Sequence, residues 1–340
     1  MSLSQAVTVF GAYGHTGRFV VSELQRRGWK PILSGRDASQ LNTVSGLNPG
    51  SEVCVATVED PKSLDRALAG ASAVINCAGP FLDTATPIVE AALRARIHYL
   101  DLAAEQKSVL SLFERFANPA SAARVLIIPA MAFYGGLGDL LATAAVGDWD
   151  YADEINIATA LDSWNPTRGT RETGQRNHGQ RFTFSNNTLH LGEPPPPRNW
   201  NFPPPFGLQE VEGVLLSETI TVSRHLQASE IRAYLNRRSL QDVRNPDTPP
   251  PVAADEIGRS SQVFVMDVIA RKGDSVRRAL ARVHDIYAIT APIVVEAMER
   301  AFSGPIRAAG VRTAGEAFNA PDFLRALSPS HLFFELQTET

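Results

Sequence analysis

Three glycines that stand three residues apart place the strongest constraint on this chain. Gly11, Gly14 and Gly17 follow a run of β-forming residues, AVTVF at 6–10, and a helical pattern comes directly after them. At such a junction the first glycine allows a tight turn, the second lets the backbone approach a pyrophosphate, and the third lets the helix pack on the strand. Free N–H groups and the positive end of the helix would then face the phosphates. We therefore predict a dinucleotide site.

The spacing of these glycines is G-x-x-G-x-x-G rather than the commoner G-x-G-x-x-G. Ala12 stands where the commoner pattern has its second glycine. Three glycines in a loop also occur in turns that bind no phosphate, and a purely structural turn is the alternative. The position between the first strand and the first helix of a βαβ series favours the dinucleotide site.

The first part of the chain alternates short apolar runs with helical segments. This alternation is typical of βαβ units and predicts a parallel sheet. We therefore predict an α/β fold with a Rossmann-type doubly wound parallel sheet. The predicted strands are 6–10, 30–35, 51–58, 73–79, 98–103 and 124–130.

The character of the sequence changes near residue 150. Longer alternating runs such as DEINIATAL and LSETITVS predict strands of an inserted α+β domain. The clusters at 193–207 and 245–256 are too rich in proline for strand interiors or helices, and surface loops are predicted there. DIYAITAPIVVEAMERAFSG and APDFLRALS predict a C-terminal helical return onto the first domain. The predicted domains are 1–147 for dinucleotide binding, 148–283 for substrate binding or dimerisation, and 284–340 for the helical return.

The composition argues against several classes of partner. A formal net charge of −4 gives no reason to expect a nucleic acid or an anionic membrane surface. No apolar run reaches the roughly 18–20 residues of a membrane span, and MSLSQ has no feature of a signal peptide. Cys54 and Cys77 lie in apolar runs and are expected to be buried and reduced, so we expect a cytoplasmic protein.

The end of the second predicted strand indicates which dinucleotide is bound. Arg36 stands about 20 residues beyond the glycines, where NAD-binding chains carry an acid for the ribose 2′-hydroxyl. Gly35 leaves space and the guanidinium suits a 2′-phosphate, so NADP(H) is favoured over NAD(H). A solvated Arg36, or an Asp37 turned toward the ribose, is the alternative. The other predicted cofactor contacts are Tyr13, His15, Thr16, Ser34, Ala78, Gly79, Pro80 and Phe81.

These stretches resemble the saccharopine dehydrogenase-like family of NADP-dependent reductases. The resemblance implies a Rossmann domain with an inserted α+β domain and a cofactor cleft between them. The family includes reductases of C=N bonds in amino acids, reductases of polyamine pathways and enoyl reductases that act in trans. The chain departs from it at 101–105, where DLAAE replaces the DLSGE or DLTGE of many relatives. The matching segments are GAYGHTGRFVVSELQRRG, ILSGRD, INCAGPF, PIVEAALRARIHYLDLAAE and PAMAFYGGLGDLLA, and more loosely PTRGTRETG, FPPPFG and DIYAITAPIVVEAMERAF.

A reductase also needs groups that orient the acceptor and supply a proton. Asp101 and Glu105 follow the fifth predicted strand and are candidates for binding an amine or imine, or for holding a proton donor. Two carboxylates at a helix N-terminus are the alternative. Tyr134, after the sixth strand, is a candidate proton donor, and packing under the nicotinamide is its alternative role.

The insert contributes a basic stretch in a nearly neutral chain. Arg168 and Arg171 are candidates for binding a substrate carboxylate or phosphate, and His178 for protonating a product. A solvated helix face is the alternative. The sequence lacks H-E-x-x-H, a Cys/His cluster, a Tyr-x-x-x-Lys pair and G-x-S-x-G, so no metal and no serine nucleophile is predicted.

Two functions of different classes follow from these residues. The first is an NADPH-dependent oxidoreductase that transfers a hydride to a C=N bond or an activated C=C bond of a small metabolite. The second is a non-catalytic NADP(H)-binding redox sensor or regulator, which the lack of a clear acid–base pair keeps open. A small-molecule substrate and a homodimer are the expected partners, with no nucleic acid and no membrane.

Overall fold

The structure is a computed structural model that describes residues 6–176, 179, 181–303 and 309–339. The chain forms two compact units. The first contains the residues up to Ala132 together with Thr290–Arg312, and the second contains Phe133–Ile289 and the residues from Thr313 onward. Each unit is built around its own β-sheet.

Over its described residues the first unit holds a seven-stranded parallel sheet. Its strands are β1 (Ala6–Phe10), β2 (Lys30–Gly35), β3 (Glu52–Val55), β4 (Ala73–Asn76), β5 (His98–Asp101), β6 (Leu126–Ile128) and β15 (Gly310–Val311). The central strands β1 and β4 are buried almost throughout, as expected of a parallel sheet covered on both faces. The order β15-β6-β5-β4-β1-β2-β3 turns back at β1 and confirms the predicted doubly wound sheet.

Helices connect the strands of the first unit. They are α1 (His15–Arg26), α2 (Ala38–Leu47), α3 (Pro61–Leu68), α4 (Phe81–Ala95), α5 (Gln106–Ala123) and α10 (Thr290–Ser303). The last of these returns from late in the chain and packs against α1. Arg27, at the end of α1, donates hydrogen bonds to Glu296 at 2.7 Å and to Glu299 at 2.6 Å. This half-buried charge cluster fixes the returning helix on the first unit.

The second unit, in its described part, is built on a nine-stranded mixed sheet. Its strands are β7 (Ala152–Leu161), β8 (Phe182–Ser185), β9 (Thr188–Leu191), β10 (Arg198–Asn201), β11 (Leu208–Val214), β12 (Ala228–Asn236), β13 (Val263–Lys272), β14 (Ser275–His284) and β16 (Leu332–Glu339). The main order is β10-β11-β12-β7-β13-β14-β16, with β8 and β9 attached to β12. The helical elements are a π-helical turn (Phe133–Leu137), α6 (Gly138–Val146), α7 (Arg168–Arg176), α8 (Ser217–Ser223), α9 (Arg237–Arg244), α11 (Ala314–Ala317) and α12 (Ala320–Leu327).

The units divide the chain at positions other than the domains predicted as 1–147, 148–283 and 284–340. The second unit begins at Phe133 because α6 packs against β13 and β14 of the second sheet. The predicted helical return is split between the units. Its α10 belongs to the first, whereas α12 packs on α6 and β16 pairs with β14 in the second. The apolar pattern of residues 284–340 indicates helices. It does not indicate which apolar surface each helix will cover.

One predicted strand is a helix. The segment LSETITVS at 216–223 alternates and contains β-branched residues, which favours a strand, yet Ser217–Ser223 forms α8. Six of its seven residues are buried, and the helix packs against the π-helical turn, α6 and β12. A short apolar run has the same composition in a buried strand and in a buried helix, so tertiary packing decides between them.

The proline-rich cluster at 193–207, predicted as a surface loop, contains a strand. Arg198–Asn201 forms β10 at the edge of the second sheet, a position where neighbouring prolines are tolerated. Trp200 and Phe202 bury their rings in the core of the second unit. The prolines therefore flank an edge strand whose aromatic side chains cover one face of the sheet. The second cluster, 245–256, forms turns and loops as predicted.

A buried ion pair joins three segments of the second unit. One oxygen of Asp139 on α6 lies 2.6 Å from His225 Nε2, and the other accepts the N–H of Gly315 at 2.8 Å. Burial by itself lowers the pKa of His225. The charges of Asp139 and Glu316 and the hydrogen bond more than offset this, so the pKa lies above its ordinary value of 6.5.

We expect stability to fall as the pH rises through the folded-state pKa of His225. A histidine whose pKa is raised on folding contributes fully below its unfolded value and loses that contribution above the folded one. Thermal unfolding measured between about pH 5.5 and pH 8.5 should show this loss in the wild type and not in His225→Gln. The exposed His190→Gln is the matched control. An identical pH profile in the wild type and His225→Gln would contradict the assignment.

Candidate cofactor and active site

Two close approaches shape the glycine loop after β1. Gly11 has a φ of +85°, and a Cβ there would lie 2.9 Å from the Cβ of Ala78. A Cβ on Gly17 would lie 2.2 Å from the carbonyl oxygen of Gly11, a backbone atom that cannot swing aside. The N–H of Gly11 donates to the carbonyl of Ser34 at 2.8 Å, which holds the loop on β2. The fold itself therefore requires glycine at positions 11 and 17.

Gly14 is not required by the fold in the same way. Its φ of −64° suits any residue, and the one close neighbour of a Cβ there would be the Gly11 carbonyl oxygen at 3.1 Å. Among the described residues no side chain caps the N-terminus of α1, and no acid lies in its first turn. The helix thus presents backbone N–H groups and its positive end beside Gly14, an arrangement that suits a phosphate.

The end of β2 supplies an unpaired cation. Arg36 is exposed and makes no hydrogen bond or ion pair with any described residue. Asp37 is the N-cap of α2, because its carboxylate accepts the backbone N–H groups of Ser39 at 2.9 Å and Gln40 at 3.1 Å. Hydrogen bonds from the side chain of Ser39 and from Gln40 lower the pKa of Asp37 to about 2. With Asp37 occupied by the helix cap, Arg36 is the group at this strand end that is free to meet a 2′-phosphate.

Tyr13 and Gly35 bring the two loops together. A Cβ on Gly35, whose φ is +155°, would lie 2.7 Å from a ring carbon of Tyr13, so the ring packs directly on the Gly35 backbone. Arg18 donates to the Tyr13 carbonyl at 3.2 Å and braces the loop from α1. The loops and Arg36 form one surface at the carboxyl ends of β1 and β2, where ligands bind in open α/β sheets. His15 and Thr16 open α1 at this surface, and Ser34 is the penultimate residue of β2.

Buried hydrogen bonds fix the segment Ala78–Phe81 after β4. The N–H of Ala78 donates to Asn76 Oδ1 at 3.0 Å, and the Ala78 carbonyl accepts the hydroxyl of Thr84 at 2.7 Å. The N–H of Phe81 donates to Glu105 Oε1 at 2.9 Å. Ala78, Gly79, Pro80 and Phe81 therefore form an ordered loop next to the glycine loop, with Ala78 in contact with Gly11.

Asp101 is buried and its oxygens are engaged. Oδ1 accepts the N–H groups of Ala103 at 3.0 Å and Ala130 at 2.7 Å, and Oδ2 accepts the phenol of Tyr99 at 2.9 Å. Burial raises the pKa of Asp101 although these hydrogen bonds oppose the shift. The Tyr99 phenol also accepts the side-chain amide of Asn76 at 3.2 Å. These bonds give Asp101 a structural role, which ties the ends of β5 and β6 together, and its catalytic role stays a prediction.

Glu105 is buried at the start of α5. Its two oxygens accept the N–H groups of Phe81 at 2.9 Å and of Ala104 at 3.1 Å. Burial raises the pKa of Glu105 to about 7, against the opposing effect of these bonds. A carboxyl group that titrates near neutral pH can hold or release a proton in the cell, so Glu105 remains a candidate for proton transfer in the first unit.

Tyr134 lies in the π-helical turn of the second unit, an element that is frequent at functional sites. Its phenol is buried and has no hydrogen-bond partner among the described residues. The ring packs on Phe133, with centroids 3.9 Å apart, and on Trp164 at 6.0 Å. Burial raises the pKa of Tyr134 well above its ordinary value, and the charges of Glu218 and Tyr287 add to the shift.

Glu218 is a functional candidate that the sequence analysis did not identify. It lies on α8, which packs on the π-helical turn, and it is 2% exposed. Its Oε2 has no partner among the described residues, and neither have the buried hydroxyls of Ser217 and Thr219. Burial raises the pKa of Glu218 to about 7. Such buried polar groups cost stability unless a ligand or water meets them, so this cluster is a candidate functional site beside Tyr134.

The predicted substrate arginines make local contacts. Arg168 on α7 is exposed and pairs with Glu172 at 2.6 Å. Arg171 donates to the carbonyls of Asn245 at 3.2 Å and Thr248 at 2.7 Å, and so holds α7 on the proline-rich segment that follows α9. Neither arginine points to a ligand by these contacts, and their substrate role stays a prediction. His178 lies outside the described residues.

Tyr287 anchors the segment that leads into α7. Its phenol oxygen accepts the indole N–H of Trp164 and the backbone N–H of Thr167, each at 3.1 Å, and lies 2.9 Å from the hydroxyl of Thr170. Because Trp164 also packs on Tyr134, this hydrogen-bonded group forms one side of the Tyr134 environment. Tyr287 falls within the segment predicted to be helical, but it lies in a turn between β14 and α10.

The structure thus gathers the candidates into two groups, one on each unit. The first holds the cofactor contacts with Asp101 and Glu105, and the second holds Tyr134 with Glu218. No group of His, Cys, Asp or Glu within the described ranges is arranged to hold a metal ion. Cys54 and Cys77 are free and partly buried. None of the helices in that part of the chain is long and apolar enough to cross a bilayer.

The sequence of the first unit matches one family model over residues 7–124, the saccharopine dehydrogenase NADP-binding domain. The matched range begins in β1 and ends just after α5, so it contains the glycine loop, Arg36 and the Ala78–Phe81 loop. The match confirms NADP(H) as the cofactor and confirms the resemblance that the motifs predicted.

Two of three curated relatives that are similar to this chain carry the saccharopine dehydrogenase-like name. A probable mitochondrial saccharopine dehydrogenase-like oxidoreductase of Arabidopsis thaliana is 29% identical over 142 residues, 37% of this chain and 31% of that protein. The saccharopine dehydrogenase-like oxidoreductase of Homo sapiens is 28% identical over 145 residues, 37% of this chain and 34% of its own length. A lipid droplet localized protein of Caenorhabditis elegans is 25% identical over 184 residues, 49% of this chain and 43% of that protein. The alignments span about a third of the length of the two oxidoreductases.

The fold has a solved counterpart along nearly the whole chain. Apo saccharopine dehydrogenase (L-Glu forming) of Saccharomyces cerevisiae superposes with a TM-score of 0.72, covering 98% of this chain and 100% of that one. The sequence identity is 10%, so the likeness establishes the fold of the chain and not its substrate. The second unit therefore belongs to the same architecture, although the family model covers the first unit alone.

Gly14→Val should abolish NADPH binding and lower the melting temperature only modestly. A Cβ at Gly14 would meet the Gly11 carbonyl oxygen at 3.1 Å, a contact that a small backbone shift relieves, whereas a branched side chain there would occupy the approach of a phosphate to α1. Gly46→Val, at an exposed helix position with open space around it, is the matched control. Calorimetric titration and thermal unfolding of both variants test this. Normal NADPH binding by Gly14→Val would show that the phosphate lies elsewhere.

Arg36→Ala should weaken NADPH binding and leave NADH binding almost unchanged. The loss of a charge-assisted contact to the 2′-phosphate is worth roughly 1.5–3 kcal/mol, about 10- to 150-fold in Kd. Lys62→Ala removes another exposed cation of the first unit and should change neither affinity. Fluorescence titration with both nucleotides measures the effect. Equal affinities of the wild type for NADPH and NADH would refute the role of Arg36.

Proposed function

We propose that the protein is an NADPH-dependent oxidoreductase that transfers a hydride to a C=N bond or an activated C=C bond of a small metabolite. The observation that carries the proposal is the uncapped N-terminus of α1 beside Gly14, with the unpaired Arg36 at the end of β2. The oxidoreductase names of the curated relatives support the reaction class.

The residues of the first unit fit this cofactor. The N–H groups of the first turn of α1 would hold the pyrophosphate, for which Gly14 leaves room. Arg36 would hold the 2′-phosphate, while Asp37 remains on its helix cap and adds no competing contact. Tyr13 and the Ala78–Phe81 loop would line the nucleotide on either side of the glycine loop. NADPH, when bound, supplies the hydride.

Reduction of a C=N or C=C bond also consumes one proton, which the protein must deliver. We infer that Glu218 holds this proton, because its pKa of about 7 keeps it half protonated at neutral pH and its Oε2 has no other partner. Tyr134, with a pKa well above neutrality, stays protonated and donates a hydrogen bond to the polar atom of the substrate. Glu105, which also titrates near pH 7, is the alternative source.

The reaction class is tested by following NADPH oxidation with a panel of imines and enones. A cyclic imine, a mixture of a 2-oxo acid with an amine, and a cyclic enone together cover the two proposed bond types. Turnover of at least one of them that is lost in Gly14→Val supports the proposal. NADPH binding without oxidation of the cofactor by any member of the panel would instead favour the non-catalytic redox sensor.

Glu218→Gln should lower turnover about 100-fold, the usual contribution of a positioned acid, with little change in NADPH affinity. Turnover of the wild type should fall as the pH rises above about 7, since Glu218 loses its proton there. The pH–turnover profile of the Glu218→Gln variant should lack this descending limb. Tyr134→Phe should lower turnover and keep the limb. Glu256→Gln, at an exposed site, is the control. If Glu105→Gln removes the limb and Glu218→Gln does not, the proton comes from Glu105.

A further inference from the structure

A pocket of about 250 Å³ opens on the sheet of the second unit. The strand register builds its floor. Asn156 of β7 lies directly opposite Ile269 of β13, which lies opposite Arg278 of β14, and Glu154 lies opposite Arg271 in the next row. Directly paired residues share one face of a sheet, so these side chains project together into the pocket. The floor is therefore held on the long central strands.

The edge strand β10 supplies one wall. The indole N–H of Trp200 donates to the buried carboxylate of Asp267 at 2.8 Å. Arg278 makes a bidentate pair with the same carboxylate, with both N···O distances at 2.7 Å. Arg198 lies over the ring of Trp200 at 5.4 Å and near that of Tyr234 at 5.9 Å. Asp267 thus fixes the wall, and the aromatic rings hold the Arg198 guanidinium in place.

The charges around the pocket leave one arginine without a carboxylate. Arg278 is paired with Asp267, and Arg271 with Glu154 at 3.1 Å. Arg232, on the neighbouring strand, shares Glu154 and pairs with Glu230, each at 3.2 Å. Arg198 makes no hydrogen bond or ion pair with any described residue. The pocket therefore carries a net positive charge located at a pre-oriented guanidinium.

Asn156 is a second, independent indication of a ligand. The residue is 2% exposed, and its Oδ1 is buried with no partner among the described residues. Its side chain lines the pocket and makes no hydrogen bond to any described group. An unsatisfied buried amide costs stability, and a leucine of similar size would fill the position without that cost. An amide kept at the floor of a pocket, near an unpaired guanidinium, fits a bound polar group.

We propose that this pocket binds a small oxyanion, a carboxylate or a phosphate group, held by Arg198 and Asn156. The guanidinium fork of Arg198 suits two oxygens of the anion. The Asn156 amide makes no side-chain bond that holds it, so it can turn by 180° about its Cβ–Cγ bond and donate its N–H₂ to an oxygen of the anion. The volume admits a small metabolite, and Ile269 with the Trp200 ring accommodates a short apolar part. The site lies wholly within the second unit and shares no residue with the cofactor loop or with Tyr134 and Glu218. It is a second ligand site, separate from the proposed reaction.

The test is calorimetric titration of the full chain with two probes, inorganic phosphate and butyrate. Each titration is repeated in Gly14→Val, because phosphate also suits the N-terminus of α1. Arg198→Gln keeps part of the stem over Trp200 and removes the charge. Asn156→Leu removes the amide and should leave the melting temperature unchanged or higher. Arg238→Ala, an exposed arginine of α9 that makes no described ion pair, is the matched control.

We expect at least one probe to bind with one site per chain in the wild type and in Gly14→Val. Arg198→Gln and Asn156→Leu should each weaken that binding about tenfold or more, and Arg238→Ala should not. Binding of phosphate alone assigns the site to phosphorylated metabolites, and binding of butyrate alone assigns it to carboxylates. The proposal is overturned if neither probe binds, if binding disappears in Gly14→Val, or if Arg198→Gln and Asn156→Leu bind like the wild type while remaining folded.

Discussion

The contact of α1 with the turn after β1 is the constraint on which the cofactor site depends. At Gly17 a Cβ would lie 2.2 Å from the Gly11 carbonyl oxygen, so the helix reaches its position only because Gly17 lacks a side chain. This close packing aims the N-terminus of α1 at the carboxyl ends of β1 and β2. The positive end of α1 beside Gly14 and the unpaired Arg36 then lie on one surface at the ends of these strands. Without the contact between Gly17 and the Gly11 carbonyl oxygen, the N-terminus of α1 would not face the surface that carries the other residues of the cofactor site.

The buried carboxyl groups of the two units differ in how many of their oxygens accept hydrogen bonds. In the first unit, both oxygens of Asp101 accept hydrogen bonds, and the bonds from Ala103 and Ala130 join the segments that follow β5 and β6. In the second unit, Glu218 is as deeply buried but has an oxygen that nothing described meets. Burial raises the pKa of both groups, and only Glu218 keeps an oxygen that is available to contact a ligand without breaking a described hydrogen bond. For this reason we rank Glu218 with Tyr134 above Asp101 in the proposed chemistry.

The side chains of the second sheet form both a closed core and a pocket. Its aromatic face is closed by Trp200 and Phe202 from the proline-flanked edge strand, which gives the unit a core without a helix at that place. Where this cover ends, the same strand register places the buried Asn156 at the floor of the pocket, with the arginine pairs around it. Trp200 belongs to both the core and the pocket. Its ring packs in the core, and its indole N–H donates a hydrogen bond to Asp267.

The sequence by itself determined the parallel sheet, the glycine turn and the choice of NADP(H). Each of these rests on neighbours in the chain: the period of apolar residues, the spacing of Gly11, Gly14 and Gly17, and Arg36 in place of an acid. The tertiary structure decided that 216–223 is a helix, that the tail contributes both α10 and β16, and that Glu218 lies beside Tyr134 without a partner. These features depend on which apolar surfaces meet and on what they enclose. Burial and missing hydrogen bonds arise from contacts between distant segments, and no local pattern in the sequence encodes them.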